Sequence, residues 1–171
     1  MDYLKSLASI YYIGIGCGLC SKEEVIEWAD MVIEAVDNPP IELLDISMMS
    51  KSKIDDVERK LFELCLIQDE ENFVKLVLSL ILEKIKQEQL PIGKAIRITT
   101  RLLVYTGLSW ESEYYDLYSF DDSYDLAIGG VVQNLPAEVE QEFVEELGAF
   151  QKYFNEFKEM YYIVLRQETI K

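Results

Sequence analysis

The chain has 171 residues, half of them apolar, enough to bury a substantial core, and this excludes a wholly disordered polymer. Its formal charge of −16 excludes nucleic acid and anionic lipid as natural direct partners, because such binding relies on Lys and Arg to neutralise phosphate. It contains no histidine, which excludes the usual Ser or Cys catalytic dyads and every His-containing metal site, so a non-catalytic protein without cofactor or metal is expected.

From residue 2 to about 17, Leu4, Leu7, Ala8, Tyr11, Tyr12 and Ile15 recur at spacings of three and four, which predicts a helix. The same stretch has one Lys and an apolar middle, but Asp2 sits where a signal peptide carries its positive end and no small-x-small cleavage site follows. Three cysteines without a secreted disulfide framework fit a reducing compartment, so a cytoplasmic protein with no membrane span is expected.

"GIGCGLC", residues 14–20, mixes two chemistries. Gly14 and Gly16 fit a phosphate-binding Gly-x-Gly-x-x-Gly loop, but Leu19 stands in the third position and no strand precedes it. Cys17 and Cys20 have the CxxC spacing of a redox or zinc pair, yet only Cys65 remains as a further ligand. The stretch therefore reads as a helix end with buried thiols, where Gly14 and Gly18, four apart, would let another helix approach.

Ser21 and Glu24 form a capping-box pair ahead of the stripe Val25, Trp28, Ala29, Val32, Ile33 and Val36. Two prolines then stop the chain, and Pro40 restarts a short helix. "SKIDDVERKLFELCLI" is helical in register, "DEENFVKLVLSLILEKIKQEQL" runs apolar on nearly every side as a central helix would, and "PIGKAIRITTRLLVYTG" ends at Gly107. The stretch 108–135 is aromatic, acidic and poorly periodic, and reads as irregular with one or two short helical turns. From Pro136 a long helical pattern returns, with Gly148 as its bend or break. The expected fold is a single all-α domain, an irregular bundle of six to eight helices, with a short HEAT-like stack as the alternative.

Between Arg101 and Lys152, fifty residues pass without one Lys or Arg, while eleven carboxylates fall there: Glu111, Glu113, Asp116, Asp121, Asp122, Asp125, Glu138, Glu140, Glu142, Glu145 and Glu146. Trp110, Tyr114, Tyr115, Tyr118, Phe120 and Tyr124 are interleaved with the first six. Carboxylates steer a basic protein and desolvated aromatics hold it, so the expected partner-binding residues are Trp110, Glu111, Glu113, Tyr114, Tyr115, Asp116, Tyr118, Asp121, Asp122, Tyr124 and Asp125. The opposing possibility is that these aromatics point into the core. A calcium loop starting at Asp121 fails, since Leu126 replaces its turn glycine and Val132 its bidentate glutamate. Lys75, Lys84, Lys86, Lys94, Arg97 and Arg101 concentrate the positive charge, and they read as balance for acidic helices.

"GLCSKEEVIEWADMVIEAVDNPPIELLDIS", with its cap, Trp-Ala-Asp centre, Pro-Pro break and following Glu-Leu-Leu-Asp helix, resembles a segment of small acidic all-helical bacterial toxin-immunity proteins of the polymorphic-toxin or contact-dependent-inhibition type. The resemblance covers residues 18–47 and brings no catalytic motif. It implies an immunity protein that plugs a basic toxin domain, often a nuclease. A carboxylate-based, metal-assisted enzyme and a helical scaffold or self-association module are the other classes that the acidic region permits.

Overall fold

Ser21 decides where the most regular helix begins. Its hydroxyl accepts from the Glu24 N–H at 3.1 Å, and the Glu24 carboxylate accepts from the Ser21 N–H at 2.7 Å. Two orphan donors are thereby satisfied, and the stripe behind them, Val25, Trp28, Ala29 and Val32, is fully buried.

The computed structural model describes residues 2–65 and 70–166, and among these the fold is all-α, with no strand. The helices are α1 (Tyr3–Cys17), α2 (Lys22–Ala35), α3 (Ile41–Ser47), α4 (Ile54–Leu64), α5 (Glu70–Lys86), α6 (Ile92–Tyr105), α7 (Tyr115–Ile128), α8 (Pro136–Leu147) and α9 (Tyr153–Leu165). Single 3₁₀ turns occupy Leu108–Trp110 and Gly148–Phe150. The expected continuation of α4 through Leu66 and Ile67, the Asp69 start of α5 and Gln167 beyond α9 lie outside the described residues.

The chain divides into two compact units, one of residues 1–73 with 155–171 and one of residues 74–154. In the first, α1 packs on α4, α2 on α3, and α3 on α4. Leu7, Ile10, Trp28, Leu43, Ile46 and Leu61 fill its core, and Tyr11 stacks on Trp28 with ring centroids 4.6 Å apart. Gly18 ends α1 in the left-handed conformation at φ 83°, a backbone state that glycine adopts without a Cβ penalty. The Leu19 and Cys20 N–H groups then donate back to the Gly14 carbonyl at 2.8 and 3.1 Å. "GIGCGLC" is thus a helix C-terminus, as expected. The close approach at Gly14 comes from its own turn and not from another helix: a Cβ there would lie 2.7 Å from the Cys20 sulfur.

In the second unit, α6 packs on α7, α7 on α8, and α6 on α8. The α5 residues Leu76, Val77, Leu78, Ile81 and Leu82 are buried almost all round, as the continuous apolar run anticipates. The stretch 108–135 corrects the sequence reading, because its middle is a four-turn helix, α7, and not an irregular segment. Tyr114, Leu117, Phe120 and Ala127 form its buried face, and Tyr124 is half-buried on the same side. The period of three to four was masked because Tyr115 and Tyr118 put aromatic rings on the other faces as well, flattening the contrast that reveals an amphipathic helix. At Gly148 the pattern from Pro136 does break, giving α8, a 3₁₀ turn and α9.

Candidate functional site

The residues expected to bind a partner are brought together around α7, but with unequal roles. Gly107, at φ 71°, turns the chain out of α6, and the following 3₁₀ turn sets Trp110 on the surface, 81% exposed. Its ring lies 6.3 Å from that of half-buried Tyr118. Tyr115, one residue into α7, is 54% exposed. Tyr114 corrects the expectation: it is 1% exposed and stacked on Phe150 at 6.1 Å, so it belongs to the core and offers a partner nothing. One residue of helical rotation, about 100°, separates the buried ring from the exposed one.

The carboxylates also sort into engaged and open ones. The Arg97 guanidinium, on α6, donates to both Asp121 and Asp125, and the latter pairing is bidentate. These hydrogen bonds hold the Asp125 carboxyl below the usual carboxylate range. Glu113 lies 3.9 Å from Lys75. Among the described residues, Glu111, Asp116 and Asp122 make no ion pair, and all three are exposed. Tyr124 is committed internally, its hydroxyl donating to Glu140 on α8 at 2.8 Å, and this bond with partial burial raises its pKa. Gly93 permits that placement, since a Cβ there would meet the Tyr124 hydroxyl oxygen at 2.5 Å. The open part of the candidate surface is therefore Trp110, Glu111, Tyr115, Asp116 and Asp122, with Tyr118 at its edge. Asp121, Tyr124 and Asp125 form, with Arg97 and Glu140, a polar clamp across α6, α7 and α8.

The expected charge balance by Lys75 and Arg97 is present, and both meet carboxylates of the acidic stretch. Residues 121–128, where a calcium loop would start, are helix, so they lack the loop geometry that ligation needs. Among the described residues, no three Cys, Asp or Glu side chains converge as a metal site would require, and no helix is long and apolar enough to cross a membrane.

Cys17 and Cys20 are buried, and burial pushes the half-buried Cys65 thiol up to about 12. Because only the thiolate reacts, Cys65 in the folded chain should alkylate at pH 8 on the order of a thousandfold more slowly than a free cysteine. Mass spectrometry after timed iodoacetamide exposure, with and without urea, checks this. Rapid modification of Cys65 in the native chain would contradict its burial.

Sequence reasoning passed over a second feature. Leu126, Ile128, Val131, Val132 and Leu135, around the α7–α8 turn, are all exposed. The signal was present in "LAIGGVVQNL", an uncharged apolar run around two glycines, but it lay inside the segment read as irregular.

Comparison of the chain with protein-family models, with curated proteins and with solved structures returns no match.

Proposed function

We propose that this protein is an immunity-type inhibitor that acts in the bacterial cytoplasm by capturing a basic toxin domain and occluding its cationic groove. The observation that carries this reading is Trp110, 81% exposed with its ring against Tyr118 and with Tyr115 also exposed on α7, within fifty consecutive residues that contain no Lys or Arg. Large aromatic rings left in water are anchors for a partner that desolvates them, and the surrounding carboxylates select a basic one. The resemblance of residues 18–47 to toxin-immunity proteins supports the same reading.

The division of labour follows from the ion pairs. Asp121 and Asp125 share the Arg97 charge, so capture relies on Glu111, Asp116 and Asp122, while Trp110 and Tyr115 hold the complex. The test is to co-express the chain with the domain encoded immediately beside its gene, and to assay both growth protection and copurification. Protection with a one-to-one complex supports the proposal, and absence of both overturns it. Within such a complex, Asp116→Asn with Asp122→Asn should slow association several-fold at low salt and flatten its salt dependence, without changing the melting temperature. Stopped-flow fluorescence at several ionic strengths reads this directly. An unchanged association rate would remove α7 from the encounter surface.

A further inference from the structure

Beyond Ala127 the chain turns its apolar side chains outward. Leu126, Ile128, Val131, Val132 and Leu135 are 44, 58, 73, 42 and 63% exposed, five large apolar residues within ten positions. Single exposed apolar residues are ordinary in folded proteins, but Val131, Val132 and Leu135, left exposed within one short turn, are more than a scattering and offer an apolar contact surface. The group is held by hydrogen bonds. The Gly129 N–H donates to the Asp125 carbonyl at 2.9 Å, Gly130 takes φ 66°, and the Val131 N–H returns to the Leu126 carbonyl at 3.0 Å. This closes the C-terminus of α7 and leaves Val131 and its neighbours pointing into solvent.

The turn runs directly into a carboxylate stripe. The Leu135 N–H donates to the Glu138 carboxylate at 2.8 Å, and Glu138, Gln141, Glu142 and Glu145 line one shallow groove along α8 with Asn134 at its start. Positions 138, 142 and 145 are four and three apart, so the three carboxylates lie on one helical face.

We infer that the apolar α7–α8 turn docks a cationic amphipathic helix of the partner protein, its Lys or Arg side chains meeting Glu138, Glu142 and Glu145 and its apolar face resting on Val131 and Leu135. Charge complementarity selects this occupant. Residues 102–151 contain no Lys or Arg, so the stripe has no cation of its own segment to neutralise it. A second copy of the chain would set the same carboxylates against these, and like charges in contact disfavour the pairing. A helix fits because its residues advance at the same rise as those of α8, so cations spaced by three and four stay in register with the stripe. The inference rests on the basic-partner reading above and adds the chemistry and shape of the segment that such a partner presents.

The probe is a synthetic helical peptide of about 18 residues with Lys at three-and-four spacing beside a Leu face, set against a peptide of the same composition scrambled to lose that face. Titrated into the full chain and followed by calorimetry, the helical peptide should bind at least about tenfold more tightly than the scrambled one. Val131→Ser with Leu135→Ser should weaken it about tenfold, and Glu142→Lys with Glu145→Lys should abolish binding. Amide exchange should slow across residues 126–147. Equal binding of the two peptides, binding unaffected by both double variants, or protection confined to other helices would each overturn the inference. The co-expressed domain separates the two readings. Capture lost with Trp110→Ala but intact in both double variants removes the α7–α8 dock and leaves the inhibitor standing. Turn-dependent peptide binding without growth protection or capture supports the dock and overturns the inhibitor.

Discussion

Replacing Trp28 with Ala should cost about 3–5 kcal/mol, the range for deleting a fully enclosed aromatic side chain. The indole is 0% exposed on the inner face of α2 and stacks on Tyr11 at 4.6 Å, so its removal opens a cavity that α-helices on either side close only in part. Against a typical domain stability of about 5–15 kcal/mol, such a loss lowers the melting temperature by roughly 10 °C and brings the variant near unfolding at 37 °C. The companion substitution makes the argument specific. Among the described residues the buried Trp28 Nε1 has no hydrogen-bond partner, so Trp28→Phe removes ring area but also an unsatisfied donor. It should therefore cost less than half as much as Trp28→Ala. Urea denaturation followed by circular dichroism compares the two, and equal losses would mean that the indole N–H contributes a bond that its surroundings do not show.

The second large effect falls on binding and leaves the fold alone. Trp110→Ala should change stability by less than about 0.5 kcal/mol, since the ring is 81% exposed, yet weaken capture of the basic domain at least about 30-fold, the loss of roughly 2 kcal/mol that defines an anchor residue. Most of that change should appear in dissociation, because a ring desolvated only in the final complex contributes little to the encounter. Tyr114→Ala should show the reverse pattern, destabilising the chain through its contact with Phe150 and acting on the partner only through that loss. Biolayer interferometry beside thermal melts distinguishes the two positions. A Trp110→Ala chain that dissociates at the wild-type rate would withdraw the ring from the interface.

The contrast between Tyr114 and Tyr115 explains much of what a linear reading misses. Both are tyrosines in an acidic run, and composition treats them alike. Burial depends on which side of α7 each one occupies, and that side is set by what α6 and α8 present to it. The same holds for the aspartates. Asp116, Asp121, Asp122 and Asp125 look equivalent in the chain, but Arg97, more than twenty positions upstream, engages only the two that the α6–α7 crossing brings within reach. A local pattern carries no information about a cation that distant, so the open and engaged carboxylates were indistinguishable.

What the sequence determined by itself was therefore local and periodic. The Ser21–Glu24 cap, the Pro-Pro stop before α3, the glycine end of α1, the break at Gly148 and the all-α class follow from backbone chemistry and side-chain spacing within a few residues. Tertiary structure alone decided that residues 115–128 form a helix, because an apolar stripe hidden among surface tyrosines gains its stability only when Leu117 and Phe120 are buried, the latter edge-on against Phe143 at 5.5 Å. It also decided which rings face water, because exposure is a property of what packs opposite a residue and not of the residue's own chemistry.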